Sequence, residues 1–328
     1  MKEREIAPGV LAQYNLEVTG ISKIRGGYLL STDEGGYILK ESSRTKERIE
    51  FENLIHNRLK ETGNILSVEL VANTEGEYVT SDNYGVKYVI KKWWGGSPCS
   101  PTGRTDVIRA IKNLALFHKE VNGLNCVSSS KRQIDIEEQY AKYNTELKRA
   151  RNFIRKKKRK TDFEIEVLRS FDRYYPECEA NLMRLKSDKF KRYKESATQN
   201  NEVCHGDFSY HNILFNQERN RPVVISMESA YFGMNIQDVY KFIRKVLEKN
   251  NWDEHLGMDL IESYDKIKTI SRQERELMSI MMSYPEKFRK LVNHYYNNNK
   301  AWISDKNIEK LGLIREQSQA REKFTINL

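Results

Sequence analysis

The chain has 328 residues, a hydrophobic content of 38% and a formal net charge of +10 at pH 7. This length indicates two lobes or domains, and apolar residues spread along the whole chain argue against a largely disordered protein. The sequence contains no apolar run of about 18 residues, which argues against a membrane span. Its charged start, Met1 to Glu5, lacks the apolar core of a secretory signal.

The cysteines are far apart and form no Cys-x-x-Cys pair; they are Cys99, Cys126, Cys178 and Cys204. Neither a zinc site nor a disulfide framework is therefore predicted. This usage favours reduced thiols in a cytosolic compartment.

The amino-terminal region is predicted to begin as a small sheet. Residues 18–24, 28–31 and 37–40 have the composition of strands, and turns containing Gly26-Gly27 and Gly35-Gly36 separate them. No G-x-G-x-x-G motif is present. The third strand ends at Lys40, and a lysine at that place either contacts a ligand or simply closes an exposed strand.

Residues 44–61 follow as a predicted helix with an apolar stripe. Glu47 and Glu52 flank that stripe, and Glu50 points farther away. Further strands are predicted at residues 68–71, 77–80 and 86–91. They complete the sheet before the break at Trp93-Trp94-Gly95-Gly96.

A helix with apolar residues at helical spacing contains His118. This histidine is predicted to be a packed core imidazole, because no second His or Cys lies at metal-ligand spacing. Residues 134–197 are predicted to be helical and highly charged, with Pro176 near a helix boundary.

Nine Lys or Arg residues fall between Lys148 and Lys160 with no acid among them. Such a block is either the solvated face of a helix or a surface for a phosphate-rich polymer. Phe153 is the only aromatic residue among them, so nucleic acid is not the predicted partner.

Residues 203–215 carry the most specific pattern in the chain. Apolar runs bracket a polar turn with His205, Gly206, Asp207 and, five residues later, Asn212. Phosphoryl transfer needs an acceptor for the proton of the attacking hydroxyl and oxygen ligands for a magnesium ion, and Asp207 and Asn212 are of these types. A tight turn capped by both side chains is the alternative.

This turn resembles the catalytic loop of the aminoglycoside phosphotransferase-like kinases, and its surroundings resemble the CotS-type spore coat proteins of that superfamily. The resemblance runs from about residue 20 to about residue 255. It implies an α+β, two-lobed protein-kinase-like fold. Residues 1–92 would form a lobe of mixed sheet with one helix, and residues 93–328 a mainly helical lobe.

The resemblance also implies roles for residues of the loop and the sheet. Asp207 would accept the proton of the acceptor, and His205 would support the loop. Lys40 would contact the nucleotide phosphates and pair with a helix glutamate, for which Glu52 is favoured.

Three further expectations follow from the resemblance. The backbone of Ile90, Lys91 and Lys92 would hydrogen-bond the adenine, and the turn at residues 25–27 would cover the phosphates. Asp238 would brace the catalytic loop from the head of the next helix, although an acid at a helix N-terminus is favourable without that role.

One position departs from the family pattern. The family has a magnesium-binding aspartate after Val224-Ile225, and this chain has Ser226, whose neutral hydroxyl does not supply that charge. Residues 221–228 are predicted as one return strand, with Glu228 on the same side as Ser226 but about 6 to 7 Å along it. Three interpretations stay open: magnesium held by Asn212 with Glu228, weakened metal binding in an active protein, or a pseudokinase.

The sequence thus predicts a CotS-like spore coat protein with a kinase-like fold. An active protein would transfer a phosphoryl group from ATP, with Mg²⁺, to an unidentified hydroxyl or amine acceptor. The alternative is an inactive pseudokinase that serves as a structural protein of the coat, with other coat proteins as partners. By resemblance, synthesis is cytoplasmic and the destination is the spore coat.

Overall fold

The structure is a computed structural model and describes residues 8–24, 26–125, 135–216, 221–297 and 305–328. Contacts between residues divide the chain into two compact units. Unit 1 is Met1–Arg132 with Asn201–Phe232, and unit 2 is Gln133–Asn200 with Gly233–Leu328. The segment that contains the predicted catalytic loop thus belongs to the same unit as the amino-terminal sheet. The lobe boundary predicted after residue 92 is not one of these bounds and stays a prediction.

Unit 1 combines sheets with a few helices. Its first half contains α1 (Pro8–Leu11), β1 (Val18–Ile24), β2 (Gly27–Thr32), β3 (Gly35–Glu41), α2 (Lys46–Thr62), β4 (Leu66–Ser67), β5 (Leu70–Val71), β6 (Thr80–Ser81), β7 (Lys87–Trp93), β8 (Ser97–Pro98) and α3 (Arg104–Val121). Its second half contains β9 (Val203–Cys204), a 3-10 turn (Tyr210–Asn212), β10 (Ile213–Asn216), β11 (Arg221–Val224), a second 3-10 turn (Met227–Ser229) and β12 (Tyr231–Phe232).

The main sheet has antiparallel neighbours in the order β1-β2-β3-β7-β5, and β6 also pairs with β7. Between β3 and β7, Ile38 lies opposite Lys91 and Lys40 lies opposite Val89. Residues opposite each other or two apart share a face of a sheet. Lys40 and Lys91 therefore lie on the face where Val89 packs against Ile49 of α2.

The other face of this sheet carries the apolar core of the amino-terminal half. Leu39 and Ile90 are fully buried there and pack with Leu30 of β2 and with Val10 of α1. Alternation along β3 and β7 thus places an apolar layer on one side and a mixed apolar and charged layer on the side of α2.

Unit 2 is helical. It contains α4 (Ile136–Lys156), α5 (Asp162–Leu185), α6 (Asp188–Gln199), α7 (Ile236–Leu247), α8 (Glu254–Asp265), α9 (Arg272–Ser283), α10 (Glu286–Asn297), α11 (Asp305–Glu316) and α12 (Ser318–Ile326). Capping boxes at Thr161 with Glu164 and at Ser271 with Glu274 begin α5 and α9. No described helix is both long enough and apolar enough to span a bilayer.

Two local predictions are wrong. Pro176 lies inside α5 and not at its boundary, because burial of residues on both sides of it, such as Phe171 and Cys178, outweighs the loss of the hydrogen bond that proline removes. The return strand predicted to reach Glu228 ends at Val224. Ser226 has a left-handed backbone, with φ 64° and ψ 47°, and the 3-10 turn follows it.

Candidate active site

The loop after β9 is anchored by short strands on both sides. β9 pairs with β12, and β10 pairs with β11 and β8. The backbone N–H of Val203 donates to Asn122 Oδ1 at 2.9 Å, just beyond the end of α3. The loop therefore begins and ends on fixed strands, which restricts the positions of the polar residues between them.

His205 is fully buried and connects the loop to the strand opposite. Its Nε2 lies 3.1 Å from the carbonyl oxygen of Ile225, and its Nδ1 accepts from the backbone N–H of Asp207 at 3.3 Å. These partners assign the proton to Nε2, because a carbonyl accepts and an N–H donates. The imidazole thus supports the turn as a neutral ring packed edge-on against Phe117 and Phe208.

Gly206 is required by the geometry of this turn. Its φ is +84°, and a Cβ atom there would lie 2.1 Å from the carbonyl oxygen of Ser229. Both the left-handed backbone and the close approach exclude larger residues. The glycine thus lets the loop lie directly against the 3-10 turn of residues 227–229.

Asp207 and Asn212 are brought together at the end of the loop. Asn212 Nδ2 donates to Asp207 Oδ2 and to the Asp207 carbonyl oxygen, both at 2.8 Å. Asp207 is exposed. The NH₂ group of Asn212 is directed at Asp207. The Oδ1 atom of Asn212 therefore lies on the other side of the amide, and it is of the type that serves as a neutral oxygen ligand of a metal.

The chain that leads to Ser226 is hydrogen-bonded to the backbone of Asn212. The backbone N–H of Ile225 donates to the Asn212 carbonyl oxygen at 3.1 Å, and Ser226 is the next residue of the chain. The left-handed conformation of Ser226 turns the chain out of the strand and into the 3-10 turn. The prediction that strand alternation places Glu228 on the side of Ser226 is therefore wrong, because Glu228 lies in the 3-10 turn.

Glu228 instead enters a buried ion-pair cluster with β7 and α2. Lys91 Nζ lies 2.5 Å from Glu228 Oε1 and 2.5 Å from Glu52 Oε1. The side chains of Lys91 and Glu52 are 4% and 1% exposed, and that of Glu228 is 25% exposed. One ammonium thus bridges two carboxylates from distant parts of the chain.

The pKa values of both carboxyl groups are lowered in this cluster. Burial alone raises the pKa of Glu52, but the neighbouring His56 and the charges of Lys91 and Arg44 outweigh it and hold the pKa well below its usual range. For Glu228, burial also raises the pKa, but the charge of Lys91, the hydrogen bond from Lys91 and a backbone hydrogen bond together lower it below its usual value. Both groups are therefore charged at neutral pH.

Further cations surround these two carboxylates. Arg44 pairs with Glu52 Oε2, and Arg48 Nη2 donates to the backbone carbonyl of Glu228 at 3.4 Å. Lys40 Nζ lies 4.0 Å from Glu228 Oε1, and its side chain is one-third exposed. The predicted Lys40–Glu52 pair is thus replaced by a Lys91–Glu52 pair on the same face of the sheet.

The predicted contact of the Ile90, Lys91 and Lys92 backbone with adenine stays a prediction, and sheet pairing already uses part of this backbone. Ile90 and Lys91 lie in the middle of β7 with β3 on one edge and β5 on the other. The N–H of Lys92 donates to the Glu69 carbonyl oxygen at 2.9 Å. Sheet pairing therefore uses backbone groups of these residues, and the side chain of Lys91 belongs to the ion-pair cluster.

The junction after β7 is fixed to the loop strands. Trp94 Nε1 donates to the Ser67 carbonyl oxygen at 2.8 Å, and Asn216 Nδ2 donates to the Trp94 carbonyl oxygen at 2.6 Å. Gly96 has φ +132° and approaches the backbone of Phe215, where a Cβ atom would lie 2.9 Å from its carbonyl oxygen. The tryptophans thus pack within unit 1.

The remaining predicted residues take structural positions. Asp238 lies in the first turn of α7 in unit 2 and is fully buried; its bracing role stays a prediction. His118 is fully buried in α3 next to Phe117. Arg25, in the predicted phosphate-covering turn, and Cys126 lie outside the described residues.

The basic block lies on the last turns of α4 and the segment after it. Its cations are partly paired with α5, through Lys148 with Glu179 at 3.1 Å, Arg151 with Asp172 at 3.0 Å and Lys157 with Glu164 at 2.5 Å. Arg155, Lys156, Lys158 and Arg159 are exposed. Among the described residues, some cations of the basic block thus connect α4 and the segment after it to α5, and others form a solvated surface.

Over residues 9–328, the chain matches the family described as "Spore coat putative kinase YutH". The chain belongs to this YutH family. The YutH-family chain is also 19% identical over 313 residues to Spore coat protein S of Bacillus subtilis (strain 168), a match that covers 93% of this chain and 88% of that protein. The predicted relationship to CotS-like spore coat proteins is therefore confirmed.

Solved structures show the fold of this YutH-family protein. An aminoglycoside phosphotransferase from Alicyclobacillus acidocaldarius subsp. acidocaldarius DSM 446 superposes with a TM-score of 0.87 at 18% identity, covering 100% of this chain and 96% of that chain. Spectinomycin phosphotransferase APH(9)-Ia in complex with ADP and spectinomycin superposes with a TM-score of 0.65 at 14% identity and 97% coverage of both chains. The predicted kinase-like α+β fold is confirmed.

A third structure, the amicoumacin kinase hAmiN in complex with AMP-PNP and Ca²⁺, superposes with a TM-score of 0.64 at 12% identity, covering 96% of this chain and 92% of that chain. The second and third of these structures contain the nucleotides ADP and AMP-PNP, and the third also contains Ca²⁺. In the YutH-family chain, no group of three or more His, Cys, Asp or Glu side chains among the described residues is arranged to hold a metal.

The sequence analysis missed the side chain of Lys91. It also missed Arg44, Arg48 and His56. A usable signal was present for Lys91, since it follows the buried apolar residues Tyr88 to Ile90 of a central strand. A lysine in such a strand needs a buried acidic partner. Nothing comparable marks the two arginines, whose partners are set by tertiary contacts.

Proposed function

We propose that this protein is a nucleotide-binding component of the spore coat that carries a phosphotransferase-type site in unit 1. ATP is the proposed nucleotide, and a hydroxyl or amine is the proposed acceptor. The coat location and its partners, other coat proteins, rest on the family and on the named relative. The observation that carries the site is the 2.8 Å hydrogen bond between Asn212 Nδ2 and Asp207 Oδ2.

Asp207 is the proposed proton acceptor. It is exposed, so an acceptor molecule can reach it, and Asn212 and the backbone contact to His205 fix its position. A positioned general base contributes about 10²- to 10⁴-fold to a rate. His205 acts as a support in this proposal, because its ring is buried and both of its nitrogens contact the backbone.

Lys40 is the proposed contact to the nucleotide phosphates. Its ammonium is partly exposed and lies next to the cluster formed by Lys40, Arg44, Arg48, Glu52, Lys91 and Glu228. That cluster contains four cations and two carboxylates, so it has an excess of positive charge. Such an excess favours the binding of an anionic polyphosphate.

The residues present do not fit a magnesium site of the family type as they stand. Asn212 Oδ1 is a suitable neutral ligand, and Ser226 offers a second one without charge. The remaining carboxylate, Glu228, is held by Lys91 at 2.5 Å. A hard divalent cation on a polyphosphate needs charged oxygen ligands, and a carboxylate in an ion pair with an ammonium is a poor donor for it.

A second function, that of a structural pseudokinase of the coat, is favoured by these same two residues. Ser226 lacks the charge expected at its position, and Glu228 is occupied. The fold and the nucleotide site would then serve assembly, with nucleotide binding retained and turnover lost.

Measurements of ATP binding and ATP turnover distinguish the phosphotransferase from the pseudokinase. They also show whether the protein has a nucleotide site. At 100 times its dissociation constant, ATP should stabilise the protein by about 2.7 kcal/mol in a thermal-shift titration. Phosphotransferase activity predicts ATP turnover that falls about 10²- to 10⁴-fold in Asp207→Ala, while the exposed turn variant Asp33→Ala retains it. Binding without turnover supports the pseudokinase.

Ser226→Asp is the sharper test between the two functions. Asp adopts a left-handed backbone readily, so the variant should fold and should present a charged ligand next to Asn212. A weakened enzyme should gain Mg²⁺-dependent turnover from this change. Turnover that stays absent in Ser226→Asp would favour the structural function.

A further inference from the structure

Lys91 occupies a place that no family role explains. Its ammonium lies 2.5 Å from both Glu52 Oε1 and Glu228 Oε1, and its side chain is 4% exposed. A buried lysine keeps its charge only when acidic partners compensate the loss of hydration. Here it has two such partners, so the bridge is a built feature of the interior and not a chance surface pair.

The two lysines on this face have different surroundings. Lys91 is enclosed by carboxylates, whereas Lys40, two positions along the paired strands, is one-third exposed and lies 4.0 Å from Glu228. The sheet thus provides one cation for the interior and one that a ligand can reach. The structure therefore separates the stabilising charge from the ligand-binding charge.

The turn that carries Glu228 is held at three points. Arg48 Nη2 binds the Glu228 carbonyl oxygen at 3.4 Å, Lys91 binds the Glu228 carboxylate, and the Ser229 carbonyl oxygen lies against Gly206. Turning Glu228 toward Asn212 would break the Lys91 contact. Lys91 would then have Glu52 as its acidic partner, and the cluster would have four cations around one carboxylate.

We propose that Lys91 is an internal substitute for the divalent cation on the carboxylate side of the site, so that this protein binds nucleoside diphosphates and triphosphates without Mg²⁺. Lys91 neutralises Glu228, which would otherwise repel the phosphates, and Lys40 contacts the phosphates. Lys91 is thus a positioning residue. The inference rests on the proposed nucleotide site and adds the absence of a metal requirement to it.

The direct test is the dissociation constant of ADP for the full chain, measured by calorimetry with excess Mg²⁺ and with EDTA. The expected result is that the two constants agree within about threefold, well under the tenfold change that loss of one charged contact produces. Binding that requires Mg²⁺ overturns the inference and leaves the nucleotide site standing. The absence of ADP binding in both conditions overturns the proposed function as well.

Two variants test the role of Lys91 itself. In Lys91→Met the freed carboxylates should weaken ADP binding in EDTA at least about tenfold, and Mg²⁺ should restore it. Lys87→Met, an exposed lysine at the start of the same strand, is the control and should bind as the wild type does. Glu228→Gln keeps the Lys91–Glu52 pair and should still bind ADP in EDTA. If Glu228→Gln lost only the ADP binding that is measured with Mg²⁺, the inference would be contradicted.

Mg²⁺ alone is a probe that does not depend on the nucleotide. The wild-type protein should show no change in melting temperature with added Mg²⁺, because Lys91 already neutralises the carboxylates. Lys91→Met should be stabilised by Mg²⁺, since it presents Glu52 and Glu228 without the cation that they share. A clear Mg²⁺ stabilisation of the wild type that Glu228→Gln abolishes would overturn the inference.

Discussion

The two sides of the candidate site are held together by different interactions. On the loop side, Asp207 and Asn212 are five residues apart, and hydrogen bonds to amides and to a neutral imidazole position them. On the turn side, Glu228 contacts Lys91, which is 137 residues away in the chain, through an ion pair. The loop is thus a local structure, while the turn depends on charges contributed by α2 and β7.

This difference has a physical consequence. Asp207 and Asn212 are held by hydrogen bonds to amide and backbone groups, whereas a carboxylate in a buried ion pair must stay ionised for the pair to persist. The loop side should therefore respond mainly to changes in backbone geometry, and the turn side to changes in charge.

The largest effect is expected from removing the central charge of the turn side. Lys91→Met should destabilise the protein by about 3–5 kcal/mol, because it removes the buried cation that two carboxylates share. Urea unfolding measures this change. The control Lys87→Met should change the free energy of unfolding by about 0.5 kcal/mol or less. Equal stability of the two variants would show that the bridge contributes nothing.

On the loop side, the largest effect is expected from Gly206→Ala. A Cβ atom would meet the Ser229 carbonyl oxygen at 2.1 Å, and the backbone has φ +84°. Gly85→Ala is a matched control, since Gly85 has φ +79° and open space around a Cβ atom. We expect Gly206→Ala to cost about 2–3 kcal/mol more than Gly85→Ala. If urea unfolding gave similar losses of stability for both variants, backbone strain and not the clash with Ser229 would account for the cost.

The pH dependence of stability should reveal the turn side. The pKa of Glu52 is lower in the folded protein than its unfolded value of about 4.5, so its contribution is present above that pH and is lost as the pH falls below it. We expect about 2 kcal/mol of acid-dependent stability to be missing in Glu52→Gln. The wild type and the variant share other carboxyl groups with a lowered pKa, such as Glu286. Parallel curves for the two proteins between pH 7 and pH 3 would contradict this assignment.

The smallest expected effect concerns the residue where the two sides meet. Ser226→Val should cost about 1–2 kcal/mol, because a β-branched residue tolerates φ 64° poorly, and Ser226→Gly should be nearly neutral. Thermal unfolding of both variants measures the difference. A valine variant as stable as the glycine variant would indicate that the turn relaxes to another conformation.

The loop side was accessible from the sequence because its contacts are short in range. His205, Asp207 and Asn212 form a pattern within eight residues, and the structure brings Asp207 and Asn212 into hydrogen-bond contact. The amino-terminal strands were equally readable, since alternation and glycine turns predict β1 to β3 within a few residues of their bounds.

The turn side was not accessible in the same way. The register that puts Lys91 opposite Ile38 decides which lysine reaches Glu52, and register is a tertiary property. The end of β11 also carried no signal, because serine has no preference for the left-handed backbone that an Asn or Gly would have indicated. The prediction therefore chose the right helix and the wrong lysine.

The most direct test of the account is the titration of the full chain with ADP, comparing the wild type with Lys40→Met and with Lys46→Met, an exposed lysine on α2. The account predicts one saturable site in the wild type, binding at least about tenfold weaker in Lys40→Met, and unchanged binding in Lys46→Met. A wild-type protein that does not bind ADP, or a Lys40→Met variant that binds it equally well, would contradict the account.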